Sequence, residues 1–244
     1  MNILSIGNSF SCDAQRYLHG IAKADGFALH TFNLDIGGCS LSQHYRNMLS
    51  EQDAYALEMN GENTNFKVSL KEALLSRDWD IITVQQVSHQ APDYDTYQPY
   101  LNKLAEYIRL CAPKAKLALH QTWAYEQGSY RLTAELGYGD YKEMLCDIVK
   151  SYQTAAQHMS ADYIIPSGEV FGAMIENGIE RVHRDTFHAS LGLGRYALGL
   201  IWYKILTGND VSENTFCDFD EAVSAEQIVI AKKCVQKVAN RYRV

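Results

Sequence analysis

Residues 1–11, MNILSIGNSFS, contain a short apolar strand that runs directly into a glycine turn. The strand covers Asn2–Ile6, and apolar residues resume with helical spacing within Cys12–Ala24. A serine in such a turn, here Ser9 or Ser11, lies at the positive end of a helix, where backbone N–H groups point toward a bound group. The same position suits a serine that only caps the helix, so this stretch leaves both roles open.

The rest of the chain repeats this alternation of strand and helix. Further strands are predicted at Leu29–Leu34, Asp80–Gln85, Lys116–His120 and Tyr163–Ile165. Short apolar runs without strict alternation, each followed by a helix, are typical of a parallel sheet covered on both faces. We therefore predict a three-layer α/β/α sandwich with a five-stranded, doubly wound parallel sheet, in one domain over residues 1–244. Two segments around an N-G-E-N turn predict an exposed hairpin, Tyr55–Asn60 and Asn65–Val68.

Composition and charge narrow the classes of function. The chain has 22 basic and 29 acidic residues and a net charge of −7, which argues against nucleic-acid and membrane partners. No apolar run approaches the roughly 18 residues that span a bilayer. Six cysteines without a CxxC pair predict free thiols in a reducing compartment. The first residues lack the pattern of a signal peptide, so we predict a cytoplasmic protein.

A polar loop near the C-terminus, HRDTFHAS at residues 183–190, carries what a serine nucleophile needs. Such a serine requires a base that is oriented by a carboxylate, and Asp185 precedes His188 by three residues. Two alternatives remain open. His188 could cap the next helix, or His183 could join these two residues in a metal site. A metal site would still need a distant fourth ligand, so we predict neither metal nor cofactor.

These blocks resemble the SGNH, or GDSL-like, serine hydrolases. ILSIGNSFS is similar to their first block, and Ser9 matches its nucleophile. RDTFHAS is similar to their last block, in which Asp185 matches the acid and His188 the base. Gly38 in DIGGCSL matches a glycine whose backbone N–H joins that of Ser9 in the oxyanion hole. The third block departs from the family, because VQQVSH stands where most members have a GxND asparagine.

A glutamine is the predicted substitute for that asparagine. Gln85 and Gln86 lie at the C-terminal end of an apolar strand, and no asparagine occurs in the loop that follows. We expect one of them to be the third oxyanion donor, because alternation along a strand sends the two side chains to opposite sides. The alternative is that both satisfy backbone groups at the strand end. Ser88 or His89 is then the next candidate.

A narrower resemblance covers nearly the whole chain. GNSFS, IGGCSL, TVQQVS, QTWAY, IPSG and the DTFHAS segment resemble a branch of this superfamily that is described as a domain of unknown function and occurs largely in bacteria. The resemblance implies a serine esterase that acts on a small-molecule ester with a small acyl group, notably acetyl. The rival from another class is a non-catalytic protein of this fold that binds a small molecule or a carbohydrate.

Three aromatic residues make acetylated sugar a plausible substrate. Trp123, Tyr125 and Tyr130 lie in the loop after the fourth predicted strand. Aromatic faces suit sugar rings, and the same side chains are equally expected to pack the loop. We predict Trp123 and Tyr125 as substrate-binding residues.

Overall fold

A seven-stranded mixed sheet forms the centre of the computed structural model, which describes residues 1–242. Five strands are parallel, in the order β2-β1-β5-β6-β7, and β1 pairs with both β2 and β5. The predicted doubly wound parallel sheet is therefore confirmed. The strands are β1 Asn2–Gly7, β2 His30–Asp35, β3 Tyr55–Met59, β4 Glu62–Val68, β5 Ile81–Val84, β6 Lys116–His120 and β7 Tyr163–Ile165.

The predicted hairpin is present, but it extends the sheet, so the predicted total of five strands is too low. Strand β3 pairs antiparallel with β2, and β4 pairs antiparallel with β3. The hairpin turns at Asn60 and Gly61, whose φ angles of 53° and 81° suit a tight two-residue turn. A sheet edge exposes unpaired N–H and C=O groups, and an antiparallel hairpin covers the edge of β2 without a crossover helix.

Helices cover both faces of the sheet. One group packs around α8, which contacts α1, α2, α7 and α9, and another packs around α5, which contacts α3, α4 and α6. The helices are α1 Ser9–Gln15, α2 Leu18–Ala24, α3 Leu41–Ser50, α4 Leu70–Leu75, α5 Tyr100–Cys111, α6 Tyr141–Met159, α7 Ser167–Glu176, α8 Leu193–Thr207 and α9 Ala225–Ala239. Within residues 1–242, none of them is long and apolar enough to cross a bilayer.

The first helix begins earlier than the apolar spacing predicts. Helix α1 starts at Ser9 and ends at Gln15, and α2 follows as a separate element. The reason is Asn8, whose side chain accepts a hydrogen bond from the backbone N–H of Phe10 at 3.1 Å and so caps the helix at this point. Ser9 therefore lies directly above the C-terminal edge of β1.

Candidate active site

The turn after β1 fixes the backbone around Ser9 without using its hydroxyl. Asn8 caps α1, and the Ser11 hydroxyl oxygen accepts a hydrogen bond from the Asn8 backbone N–H at 3.1 Å. The helix-capping role that the sequence leaves open for Ser9 or Ser11 therefore falls to Asn8 and Ser11. The Ser9 hydroxyl remains available for a different partner.

That partner is His188. Ser9 Oγ lies 2.9 Å from His188 Nε2, and His188 Nδ1 lies 2.8 Å from Asp185 Oδ2. A carboxylate only accepts hydrogen bonds, so in the neutral imidazole Nδ1 carries the proton and Nε2 accepts from the serine hydroxyl. The three predicted residues thus have the geometry of a nucleophile, a base and an orienting acid.

Asp185 remains a carboxylate over the ordinary pH range. Partial burial would raise its pKa, but hydrogen bonds from the side chain and backbone of His188 hold that pKa below its usual range. The backbone contact is His188 N to Asp185 Oδ1 at 2.9 Å. The acid and the base are thus held within a single turn of the chain.

This turn is held from outside by the loop that follows β6. Thr186 has a φ of 75°, a left-handed conformation that is rare for a β-branched residue and persists only where its surroundings enforce it. Its carbonyl accepts a hydrogen bond from the backbone N–H of Glu126 at 2.8 Å. The next carbonyl, that of Phe187, accepts one from Trp123 Nε1 at 2.7 Å. Two contacts therefore fix the backbone between Asp185 and His188.

A pocket of about 400 Å³ opens over Ser9 and His188, within the usual range of small-molecule sites, roughly 300–1,000 Å³. Gly38 lines it, as the sequence predicts for an oxyanion residue. Among the described residues, neither the Ser9 nor the Gly38 backbone N–H donates to a protein acceptor. The other lining residues are Asn8, Phe10, Gly37, Val87, Ser88, His89, Tyr125, Arg131 and Phe187.

Comparison with known protein families matches residues 2–238 to the family described as Domain of unknown function (DUF4886). The chain belongs to this family. A DUF4886 protein of known structure from Bacteroides uniformis is 32% identical, with a TM-score of 0.90 over 98% of this chain and 95% of that one. Comparison with curated proteins finds no match.

More distant solved structures share the fold of the DUF4886 chain. A candidate SGNH hydrolase from Slackia heliotrinireducens has a TM-score of 0.61 at 21% identity, over 84% of this chain and 98% of that one. An acetylxylan esterase from Geobacillus stearothermophilus has a TM-score of 0.52 at 13% identity, over 83% and 90%. At these identities the likeness concerns the fold, which is the one that the sequence predicts.

Gln85 of the DUF4886 chain does not reach the pocket. Its side chain is buried, its Nε2 donates to Asn8 Oδ1 at 2.6 Å, and its Oε1 lies 2.7 Å from His120 Nδ1. Asn8 in turn donates from Nδ2 to the Cys39 carbonyl at 3.0 Å. Gln85 therefore supports the residue that caps α1 and holds the Gly37–Gly38 turn beside it.

Gln86 serves backbone groups on the opposite side of the strand. Its Oε1 accepts from Leu41 N at 3.0 Å and Val87 N at 2.9 Å, and its Nε2 donates to the Thr96 carbonyl at 3.1 Å. With both amides engaged and neither glutamine lining the pocket, the structure contradicts a glutamine oxyanion donor. Ser88 and His89, in the same loop, do line the pocket.

The two aromatic residues predicted to bind substrate, Trp123 and Tyr125, have different surroundings in the structure. Trp123 is fully buried and stacks on Phe10 with ring centroids 4.0 Å apart, so its face is closed to a sugar. Tyr125 lines the pocket, and its hydroxyl lies 2.8 Å from Ser88 Oγ. Tyr130 is exposed and does not line the pocket. Trp123 is therefore a residue that positions the Phe187 backbone, not a platform for substrate.

The structure does not bring His183 together with Asp185 and His188 as ligands of one metal site. His183 Nε2 lies 3.0 Å from the Ala124 carbonyl, and burial lowers its pKa to about 4. Within residues 1–242, no group of three or more histidines, cysteines or carboxylates is arranged to hold a metal ion.

Asp13 is a component of the site that the sequence analysis does not identify. It lies one turn after Ser9 on α1 and is almost completely buried. Its carboxylate accepts hydrogen bonds from Arg184 at 2.8 and 2.9 Å and from Arg195 at 2.9 Å. The sequence could have indicated Asp13 through its position, a charged residue on the inward face of a helix. A buried carboxylate needs hydrogen-bond donors around it, so such a residue is expected to hold other segments in place.

Proposed function

We propose that this protein is a serine esterase that hydrolyses small acyl esters, above all acetyl esters, including those on carbohydrates. The observation that carries the proposal is the hydrogen-bonded line from Asp185 through His188 to Ser9, which ends in the 400 Å³ pocket. An acetylxylan esterase and a family 3 carbohydrate esterase among the solved structures of this fold support the choice of acetyl and sugar esters.

The proposed reaction begins when Ser9 Oγ attacks the ester carbonyl carbon and His188 Nε2 takes the hydroxyl proton. Asp185 stabilises the resulting imidazolium, and the Ser9 and Gly38 backbone N–H groups donate to the oxyanion. Collapse of this intermediate breaks the bond to the alcohol, which takes the proton from His188. Water then repeats the sequence on the acyl-enzyme and releases the carboxylic acid.

The third oxyanion contact is proposed to come from Ser88 or His89. Both line the pocket in the loop where the family has its asparagine. Burial and the nearby Arg131 charge lower the pKa of His89, which keeps its imidazole neutral at pH 7, with one N–H to donate. Alanine at each position is expected to lower kcat about 10²–10³-fold for the true donor and little for the other residue.

Two adjacent serines provide the test of the nucleophile. Ser9→Ala should lower kcat on 4-nitrophenyl acetate about 10⁶-fold at an unchanged melting temperature. Ser11→Ala is the matched control, since the buried Ser11 hydroxyl donates to Asn33 Oδ1 at 2.7 Å and its loss should reduce stability without removing the nucleophile.

Covalent labelling with a fluorophosphonate supplies a second measurement. Wild type and Ser11→Ala should react with the probe, whereas Ser9→Ala should not. Labelling or near-normal turnover in Ser9→Ala refutes the assignment. A non-catalytic binding protein with the same pocket would show neither labelling nor turnover in the wild type.

A further inference from the structure

The pocket contains one arginine, Arg131, for which the proposed reaction has no use. Arg131 begins a single π-helical turn, Arg131–Glu135, in the loop after β6. Its guanidinium carbon lies 4.1 Å from the centroid of the Phe187 ring. The centroid of the Phe187 ring lies 3.9 Å from that of the His188 imidazole. The Phe187 ring thus contacts both the guanidinium and the proposed base.

Stacking on Phe187 holds this guanidinium beside the Tyr125 hydroxyl, a contact that engages only part of its five N–H donors. A planar guanidinium over an aromatic face keeps its N–H groups directed outward in its own plane, where they can bind a carboxylate through two parallel hydrogen bonds. The nearest carboxylate is that of Glu135, 3.9 Å from Arg131 Nη1, and both side chains are nearly half exposed. An exposed ion pair of this length contributes little and leaves room for a second anion.

The charge of the lining also favours an anion. Among the described residues that line the pocket, Arg131 carries the positive charge, and none is an aspartate or glutamate. A pocket with a cationic group and no carboxylate in its wall attracts negatively charged ligands and disfavours positively charged ones. A neutral acetyl ester makes no use of this charge.

The position of Arg131 indicates which half of the ester carries the negative group. His188 Nε2 must return its proton to the departing alcohol, so the alcohol lies on the His188 side of the scissile bond. Phe187 and Arg131 continue the wall on that side. A negative charge on the alcohol would thus meet the guanidinium.

We propose that the preferred substrates are esters whose alcohol carries a carboxylate, such as O-acetylated uronic acids, and that Arg131 binds that carboxylate. This inference rests on the proposed esterase function and deepens it. Arg131 is then a specificity-determining residue, which stabilises the substrate in the ground state and the transition state alike.

A matched pair of sugar esters tests the inference. Mono-O-acetylated methyl glucuronoside and mono-O-acetylated methyl glucoside differ by a carboxylate at one carbon. Wild type should hydrolyse the glucuronoside with a kcat/KM about tenfold higher, as expected for one partly exposed charged hydrogen-bonding pair. Arg131→Gln should bring the ratio close to one. Lys103→Gln, which removes the same charge from an exposed ion pair on α5, should keep the wild-type ratio.

Calorimetry with the unacetylated sugars makes the result independent of catalysis. Wild type should bind methyl glucuronoside about tenfold more tightly than methyl glucoside, and Arg131→Gln should lose this difference. Equal kcat/KM values for the two esters in wild type, or an unchanged ratio in Arg131→Gln, overturns the inference while the esterase function stands. If no ester, including 4-nitrophenyl acetate, is hydrolysed, the esterase function fails and the binding difference alone decides the role of Arg131.

Discussion

The Asp13 carboxylate accepts a hydrogen bond from the backbone N–H of Ala189 at 3.1 Å, at the residue that directly follows His188. Asp13 belongs to α1, the helix that begins with Ser9. The proposed nucleophile and base thus lie on two segments that one buried carboxylate joins. Because Asp185 and His188 share a turn, this junction is a direct polar contact that aligns both residues with Ser9.

Asp13→Asn should impair turnover more than substrate binding. The amide keeps the volume but removes the anion that pairs with Arg184 and one of the two that pair with Arg195, so we expect a loss of about 3 kcal/mol in unfolding free energy. Misplacement of the loop should lower kcat about 10- to 100-fold with a smaller change in KM. Steady-state kinetics and urea unfolding measure both effects.

Asp220→Asn is the matched control for this prediction. The Asp220 carboxylate also pairs with Arg195, at 2.7 Å, and with Arg16, but the structure gives it no hydrogen bond to residues 183–190. It should lower stability and leave kcat close to wild type. A kcat in Asp13→Asn that matches this control would mean that Asp13 only stabilises the fold.

Gln86→Ala should act on stability and not on chemistry. The substitution removes the acceptor of the Leu41 and Val87 backbone N–H groups, and a buried donor without a partner costs about 1–3 kcal/mol. Unfolding free energy should fall by about that amount or more, while kcat, measured well below the melting temperature, changes less than a few-fold. A fall of about 10² in kcat at unchanged stability would restore Gln86 as an oxyanion donor.

Trp123→Phe should affect all esters equally. Phenylalanine keeps most of the stacking on Phe10 but removes the N–H that donates to the Phe187 carbonyl, so kcat should fall for 4-nitrophenyl acetate and for acetylated sugars alike. One lost hydrogen bond is worth about 1 kcal/mol, which corresponds to a several-fold decrease. A selective rise in KM for the sugar esters would instead indicate a sugar-binding platform.

Stability should decrease as the pH falls from 7.5 to 5.5. Burial lowers the pKa of His44 and His120 to about 3 and that of His183 to about 4, so the folded protein keeps all three neutral in this range. In the unfolded chain these histidines take up protons near their ordinary pKa of about 6.5. Each of them therefore lowers the free energy of unfolding by about 1 kcal/mol by pH 5.5.

Urea unfolding at the two pH values checks this. His183→Gln should reduce the pH-dependent loss of unfolding free energy by about 1 kcal/mol. Equal stability of the wild type at pH 7.5 and 5.5 would contradict the assignment of these histidines as neutral buried groups.

The parallel strands were predictable because each is a short apolar run between turn signals. Lys116–His120 and Tyr163–Ile165 have the predicted bounds, and β1, β2 and β5 differ by one residue at their ends. The attachment of the hairpin to β2 was not predictable. Pairing between strands depends on which edge is left uncovered, and the alternation within Tyr55–Val68 carries no information about that edge.

Local sequence places the residues of the line from Asp185 to Ser9 in turns at strand and helix ends, and the family resemblance selects Ser9 over Ser11. Gln85, Gln86 and Trp123 are polar or amphipathic residues at the correct edge of the sheet, and the sequence does not show which protein groups accept from their N–H donors. Arg131 lies in an irregular loop, where periodicity predicts no direction for a side chain. Such contacts arise only from the packed fold.

The central position of β1 sets the order in which the protein can become active during synthesis. The strand that leads to Ser9 is synthesised before β2 and β5, the two strands with which it pairs. His188 emerges much later, followed by α8, which packs against α1. A nascent chain that has formed most of its sheet therefore still lacks the proposed base, and hydrolysis must wait until His188 and α8 have been made.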